Sequence, residues 1–167
     1  MERLWAPWRI AYIERPSDDQ CIFCTKPREG KDRKNLILIR GEYVFVILNA
    51  YPYTNGHLMI TPYRHVADPR EVRDEEYAEI FRYLRLCTSL LKDALKAEGF
   101  NIGMNIGKVA GAGIADHLHM HIVPRWNGDT NFMPVVGNTR IIAEYLEMTY
   151  DRLLLDLPED ERARLLN

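Results

Sequence analysis

No apolar stretch in this 167-residue chain is long enough to cross a bilayer. The longest strongly apolar run, Val44-Phe45-Val46-Ile47-Leu48, falls far short of the roughly 20 residues a spanning helix needs. The opening Met1-Glu2-Arg3-Leu4-Trp5 lacks the apolar core of a secretory signal. Cysteine is scarce. Cys21, Cys24 and Cys87 are too few and too unevenly placed for a disulfide framework. Neither sign of charge dominates: 22 Lys and Arg stand against 24 Asp and Glu, for a net charge of -2. That balance gives no support to nucleic-acid binding by bulk charge. Internal repeats, low-complexity tracts and a Pro/Gly/Ser-rich linker are also missing. These absences lead to the expectation of one cytoplasmic domain over residues 1–167, with no membrane and no nucleic-acid partner. Its core should span about 20–126, followed by a helical extension over about 138–157.

The remaining composition is that of an ordinary globular protein, 47% hydrophobic and 28% charged. A domain this size buries roughly two thirds of its unfolded surface, so it needs no covalent staples. Lys26 to Asn35 is charged, carries Gly30 and reads as an exposed loop. Strand signals follow at Leu36–Ile39, Tyr43–Asn49 and His57–Thr61, the last stopped by Pro62, with an Asn55-Gly56 turn between the second and third. The period then changes. Tyr77, Ile80, Phe81, Leu84, Cys87, Leu91 and Leu95 recur at spacings suited to one helical face, predicting a helix over Arg73–Glu98. Asp74 and Glu75 suit its start and Gly99 its stop. Strand character returns at Phe100–Ile106 and at His117–Val123, the latter closed by Pro124. A last helix should begin near Asn138 or Thr139 and run to about Leu155. The expected class is α+β: a mainly antiparallel sheet, a long helix packed on it, and a C-terminal helix.

Three of the five histidines alternate strictly, at His117, His119 and His121, with apolar Leu118, Met120 and Ile122 between them. In a strand, alternate side chains share a face, so one face is apolar and the other carries imidazoles roughly 7 Å apart. An incidental edge strand explains this poorly. A metal site is one alternative, since imidazole is a common zinc ligand. Yet three such positions spread over roughly 13 Å, too far for one ion to reach easily. Chemistry on phosphate is the other alternative, because imidazole near neutral pH can attack phosphorus and move protons.

Taken alone, Cys21-x-x-Cys24 fits a redox pair, half of a zinc site, or two thiols in a turn. No second such pair follows, which excludes a four-cysteine site, but two histidines are able to complete a tetrahedral set. Cys87 lies on the apolar face of the long helix and reads as core. The glycines at 107, 111 and 113 are either turn residues or a loop whose backbone N–H groups approach phosphate.

The string His117-Leu118-His119-Met120-His121-Ile122-Val123 resembles the signature of the histidine triad family of nucleotide hydrolases and transferases. Asn49, Gly56-His57, Pro62, His65, Asn105 and the Gly107–Gly113 loop match the surrounding pattern. Leu4-Trp5-Ala6-Pro7-Trp8-Arg9 and Pro124-Arg125-Trp126-Asn127-Gly128-Asp129 resemble its bacterial diadenosine polyphosphate phosphorylase and hydrolase branch. The resemblance implies attack by His119 on the α-phosphorus of an adenosine nucleotide, with a nucleotidyl-histidine intermediate. It implies that His121 contacts phosphate and helps the leaving group, and that His117 orients its neighbours. Asn49 would meet the ribose, Asn105 the phosphates, and Gly111 and Gly113 would line the phosphate loop. His57 would lie behind the triad, although a lone histidine there is equally a hydrogen-bonded core residue. A structural zinc on Cys21, Cys24, His65 and His117, no organic cofactor, and a homodimer are also implied. Where the family often carries Gln or Ser, this chain has Ala112, Gly113 and Ile114, which puts the leaving-group contacts in question and leaves Lys108 or backbone amides to serve. A nucleoside phosphoramidate hydrolase and a non-catalytic nucleotide-binding module are the alternatives.

Overall fold

The computed structural model describes residues 21–130 and 144–166. The motif at Leu4–Arg9 and the expected helix start at Asn138 or Thr139 lie outside them. Five strands, β1 (Ile37–Arg40), β2 (Val44–Leu48), β3 (Leu58–Pro62), β4 (Gly99–Gly103) and β5 (Met120–Arg125), form one sheet in the order β1-β2-β3-β5-β4. Every pairing is antiparallel. The helices are α1 (Ile22–Thr25), α2 (Asp32–Asn35), the long α3 (Asp74–Leu95), α4 (Leu146–Asp156) and α5 (Glu159–Arg162). The fold is α+β, as expected.

The register sorts side chains between two faces. Val46, Ile60 and Met120 align across β2, β3 and β5, as do Leu48, Leu58 and Ile122. Residues one step along, Ile47, Met59 and His121, align on the opposite face. α3 packs on β2, β3 and β5. Its buried apolar positions are Ile80, Tyr83, Cys87, Leu90, Leu91, Ala94 and Leu95, while Phe81 is 55% exposed. Phe81 therefore leaves the expected stripe and Tyr83 joins it, because one residue of rotation along a helix is about 100°. The helix starts where Glu76 accepts the Arg73 N–H at 2.8 Å. It stops earlier than expected. Lys96, not Gly99, takes the left-handed turn at φ 56°, and Gly99 opens β4.

Two other expectations change. Lys26–Asn35 is not a loop but a 3-10 turn followed by α2, with Pro27, Asp32 and Asn35 buried. Arg40 grips Asp32 with two hydrogen bonds of 2.7 and 2.8 Å, and the Leu166 N–H adds a third, tying the C-terminal end to this corner. The last long helix begins at Leu146, because Glu144 and Tyr145 are not helical. Thr149 on α4 donates to Asn55 at 2.9 Å and Tyr150 donates to the Ile37 carbonyl at 2.9 Å, fastening α4 to the sheet and to the β2–β3 loop.

Gly56 shows why that loop has its sequence. Its φ is +77°, and a Cβ there would lie 2.5 Å from Leu95 Cδ1. Only glycine combines that conformation with that approach. The tight crossing sets His57 at the mouth of β3, beside β5.

Candidate functional site

The histidine segment differs from its expected form. β5 begins at Met120, so only His121 lies within the strand, while His117 and His119 sit in the approach to it. That approach is still pinned to its neighbours. The Leu118 N–H donates to the Val66 carbonyl at 2.7 Å, and the Thr61 hydroxyl donates to the Leu118 carbonyl at 2.9 Å. Met120 and Ile122 enter the main core as expected, whereas Leu118 joins Val66 and Val72 in a separate small cluster.

Hydrogen-bond counting assigns each imidazole its tautomer. His119 Nδ1 lies 2.8 Å from the His117 carbonyl oxygen, which only accepts, so Nδ1 carries the proton and Nε2 holds the lone pair. His117 Nε2 lies 2.8 Å from the Pro62 carbonyl oxygen, which leaves its Nδ1 as the lone-pair nitrogen. The Tyr53 N–H donates to His57 Nδ1 at 3.1 Å. In a neutral imidazole the proton of His57 then sits on Nε2, which donates to His121 Nδ1 at 2.9 Å. His121 in turn carries its proton on Nε2. Two adjacent rings, with centroids 4.8 Å apart, therefore differ: His119 offers a lone pair and His121 an N–H. One can attack an electrophile while the other donates a hydrogen bond to what leaves.

Burial supports this pairing. His119 is 6% exposed, and loss of solvation lowers its pKa from the ordinary histidine value. Burial, then the nearby His119, brings His121 down to about 4. Both shifts favour the neutral imidazole, which for His119 is the state a nucleophile requires.

The three triad nitrogens do not converge on one point. His117 faces a separate cluster. Its Nδ1 lies 3.3 Å from Cys21 Sγ and 3.5 Å from Cys24 Sγ, and Cys24 Sγ lies 3.3 Å from His65 Nδ1. All four ligand atoms fall within 4.8 Å of one another. Zn–S and Zn–N bonds of about 2.3 and 2.0 Å at a tetrahedral angle place S and N about 3.6 Å apart, close to these separations. The His117 Nε2–H to Pro62 bond is the outer contact that fixes a metal-binding imidazole. Burial and the neighbouring Cys21 push the Cys24 thiol up, a cost that a cation among these donors would reverse. The donor set fits zinc.

The other expected residues sit around the imidazoles. Asn49 directly follows β2, its Oδ1 accepting the Tyr51 N–H at 2.9 Å and its Nδ2 reaching His57 Nδ1 at 3.3 Å. One acceptor and one donor site remain on its amide. Asn105 is half-buried between β4 and the Gly107 turn. Gly111 has φ +85° and closes the 3-10 turn Lys108–Ala110, and Gly113 is exposed in the bend before His117. Lys108 is exposed. Two contributors escaped the sequence reading. Tyr53 supplies the backbone N–H that starts the proton ordering, and no side-chain motif announces a backbone donor. Phe23, 1% exposed, places its ring against His117 and His119. Its position inside the Cys-x-x-Cys turn was a usable signal.

A family model described as "HIT domain" matches residues 31–128. A protein of Mycobacterium tuberculosis named "AP-4-A phosphorylase" is 36% identical over 157 residues, covering 89% of this chain and 80% of the relative. A "bis(5'-adenosyl)-triphosphatase" of Dictyostelium discoideum is 27% identical over 93 residues, 56% of this chain and 62% of that protein. Among solved structures, a zinc-bound histidine triad family protein from Mycobacterium smegmatis superposes with a TM-score of 0.67 at 26% identity, covering 83% of this chain and 93% of its own. No helix among the described residues is long and apolar enough to cross a membrane.

Proposed function

This chain belongs to the HIT domain family, and on that premise we propose that it cleaves diadenosine polyphosphates at the α-phosphorus by way of a nucleotidyl-His119 intermediate. The observation that carries this reading is the pair of opposite tautomers, a lone pair on His119 Nε2 beside an N–H on His121. His119 Nε2 attacks phosphorus and the bond to the bridging oxygen breaks. The His121 Nε2–H donates a hydrogen bond to the departing oxygen and stabilises its developing charge. Water or orthophosphate then attacks the P–N bond and returns His119 to its starting state. Splitting one displacement into two in this way lowers the barrier to each.

The surrounding residues act by position and charge. The remaining donor and acceptor of Asn49 face the ribose, Asn105 and the backbone at Gly113 receive phosphate, and His57 holds the His121 tautomer, while the Gly111 N–H is already given to the Lys108 carbonyl at 3.0 Å. Lys108 supplies a cation in a loop without the polar side chains common in the family. Cys21, Cys24, His65 and His117 hold a structural zinc, which supplies rigidity to the segment carrying His119 and takes no part in the transfer. β4 is a sheet edge with Ile102 45% exposed, the kind of surface a second copy covers in a homodimer. The reading is of one domain, working in the cytoplasm, where the thiols stay reduced.

The test is product analysis with diadenosine tetraphosphate, with and without orthophosphate. ADP and ATP formed only with phosphate identify a phosphorylase, in line with the mycobacterial relative. AMP and ATP formed without it identify a hydrolase. No turnover under either condition refutes the proposal.

A further inference from the structure

We infer that Phe23 is a positioning residue for His119, and that its ring also stabilises the positive charge His119 acquires as a nucleotidyl-histidine. The inference rests on the reading of His119 as nucleophile and adds an electrostatic partner to it. The Phe23 and His119 ring centroids are 5.0 Å apart with their planes tilted by 44°. The same ring meets His117 edge-on at 5.4 Å. Phe23 is 1% exposed and backed by Phe45, with ring centroids 6.5 Å apart, so it has little freedom to move away. It stands in the turn between Cys21 and Cys24. One short turn thus approaches His117 with its sulfurs and His119 with its ring.

The charge follows from the tautomer. His119 Nδ1 keeps its proton because it donates to the His117 carbonyl. When the Nε2 lone pair forms a bond to phosphorus, the P–O bond to the leaving group breaks. The electrons of that bond go to the leaving oxygen, which departs as a phosphate anion while the His121 Nε2–H donates a hydrogen bond to it. The imidazole now bears hydrogen on Nδ1 and phosphorus on Nε2, and is a cation. In the second step the incoming oxygen bonds to phosphorus, the P–N electrons return to Nε2, and the proton of the incoming group is released to solvent. A cation over the face of an aromatic ring and within about 6 Å of its centroid is attracted by the ring quadrupole, more strongly when water is excluded. The neutral ground state gains little from this, so the contact favours the intermediate and the transition state leading to it. An aliphatic side chain would fill the same space without that attraction.

The experiment replaces Phe23 in the zinc-loaded full chain with mono-, tri- and pentafluorophenylalanine, which keep the shape while draining the ring face of negative charge. ATP release from diadenosine tetraphosphate is followed in a single turnover, and nucleotidyl-protein is measured by intact mass after alkaline quench. The expected result is a rate that falls progressively with fluorine content, by about tenfold at pentafluoro. KM, zinc content and thermal midpoint should stay unchanged. Phe23→Leu, checked for zinc content, should be slowed at least as much. A rate independent of fluorine content, or a Leu variant as fast as the parent, overturns the inference while nucleotidyl-His119 is still seen. Absence of nucleotidyl-protein from the unmodified chain overturns the parent reading and this one with it.

Discussion

His57 Nε2 lies 2.9 Å from His121 Nδ1, and the donor in that contact is His57, because the Tyr53 N–H already occupies His57 Nδ1. A backbone amide two bonds removed from the triad thus decides which face of His121 carries a proton. His57, read from the sequence as either site or core residue, is both buried and wired to the site.

That wiring predicts different outcomes for two substitutions. Glutamine offers an acceptor and a donor, so His57→Gln should retain most activity. His57→Leu leaves the Tyr53 N–H without its acceptor and His121 without its donor, and should lose about a hundredfold or more in kcat. The loss should shrink on a substrate with an activated leaving group that needs little stabilisation, such as a p-nitrophenyl nucleotide. Equal losses on both substrates would remove His121 from the leaving-group role.

His119→Ala should lower turnover by at least about a thousandfold. Binding of a non-hydrolysable dinucleotide, followed by calorimetry, should change little, because the substitution removes the nucleophile and not the phosphate or ribose contacts. A variant that loses binding and turnover together would instead assign His119 to substrate recognition.

Metal analysis of freshly purified protein should find one zinc per chain. Cys21→Ser, or a strong chelator, should lower the thermal midpoint and also slow turnover, because His117 joins the Cys/His cluster while its carbonyl orients His119. Protein free of zinc on purification, with an unchanged midpoint in chelator, would show that the two thiols serve another purpose.

The Arg64–Glu76 pair predicts a pH dependence. The Arg64 guanidinium, bonded to Glu76 at 2.8 and 3.0 Å, holds that carboxyl below its usual range, helped by the Arg73 N–H. A carboxylate depressed in the folded state contributes stability above its unfolded pKa of about 4.3 and loses it as the pH falls through the lower folded value. Glu76→Gln should therefore destabilise by about 1–2 kcal/mol at pH 7 in urea titrations. The difference from the parent should shrink toward pH 3, and a difference that does not change with pH would rule out this origin.

Alternation and period were legible in the residues themselves. The strands were found to within a residue or two, except Phe100–Ile106, which overruns β4 by three residues, and His117–Val123, whose first three residues precede β5, because strand formation there depends on where β3 stops pairing. Pro62 and Pro124 read as stops, and both are themselves strand residues. Pro62 ends its strand, and Pro124 lies past Ile122, where pairing with β3 ceases. Lys26–Asn35 was misread because its charges suggested solvent. Asp32 is buried only because Arg40 of β1 and Leu166 of the far C-terminal end reach it, partners that no local window contains.

The residues alone carry the chemistry available: three imidazoles in alternation, two thiols three residues apart, and the apolar periods that make an α+β domain. Those are local properties, set by side-chain type and backbone repeat. How the imidazoles divide their work depends on long-range contacts. Cys21 and Cys24 lie 96 and 93 residues from the His117 ring they meet, His57 lies 64 from His121, and the ring that flanks His119 comes from the cysteine turn. Which nitrogen of a histidine carries the proton depends on the donor or acceptor brought to it, and only folding brings those groups within hydrogen-bonding distance.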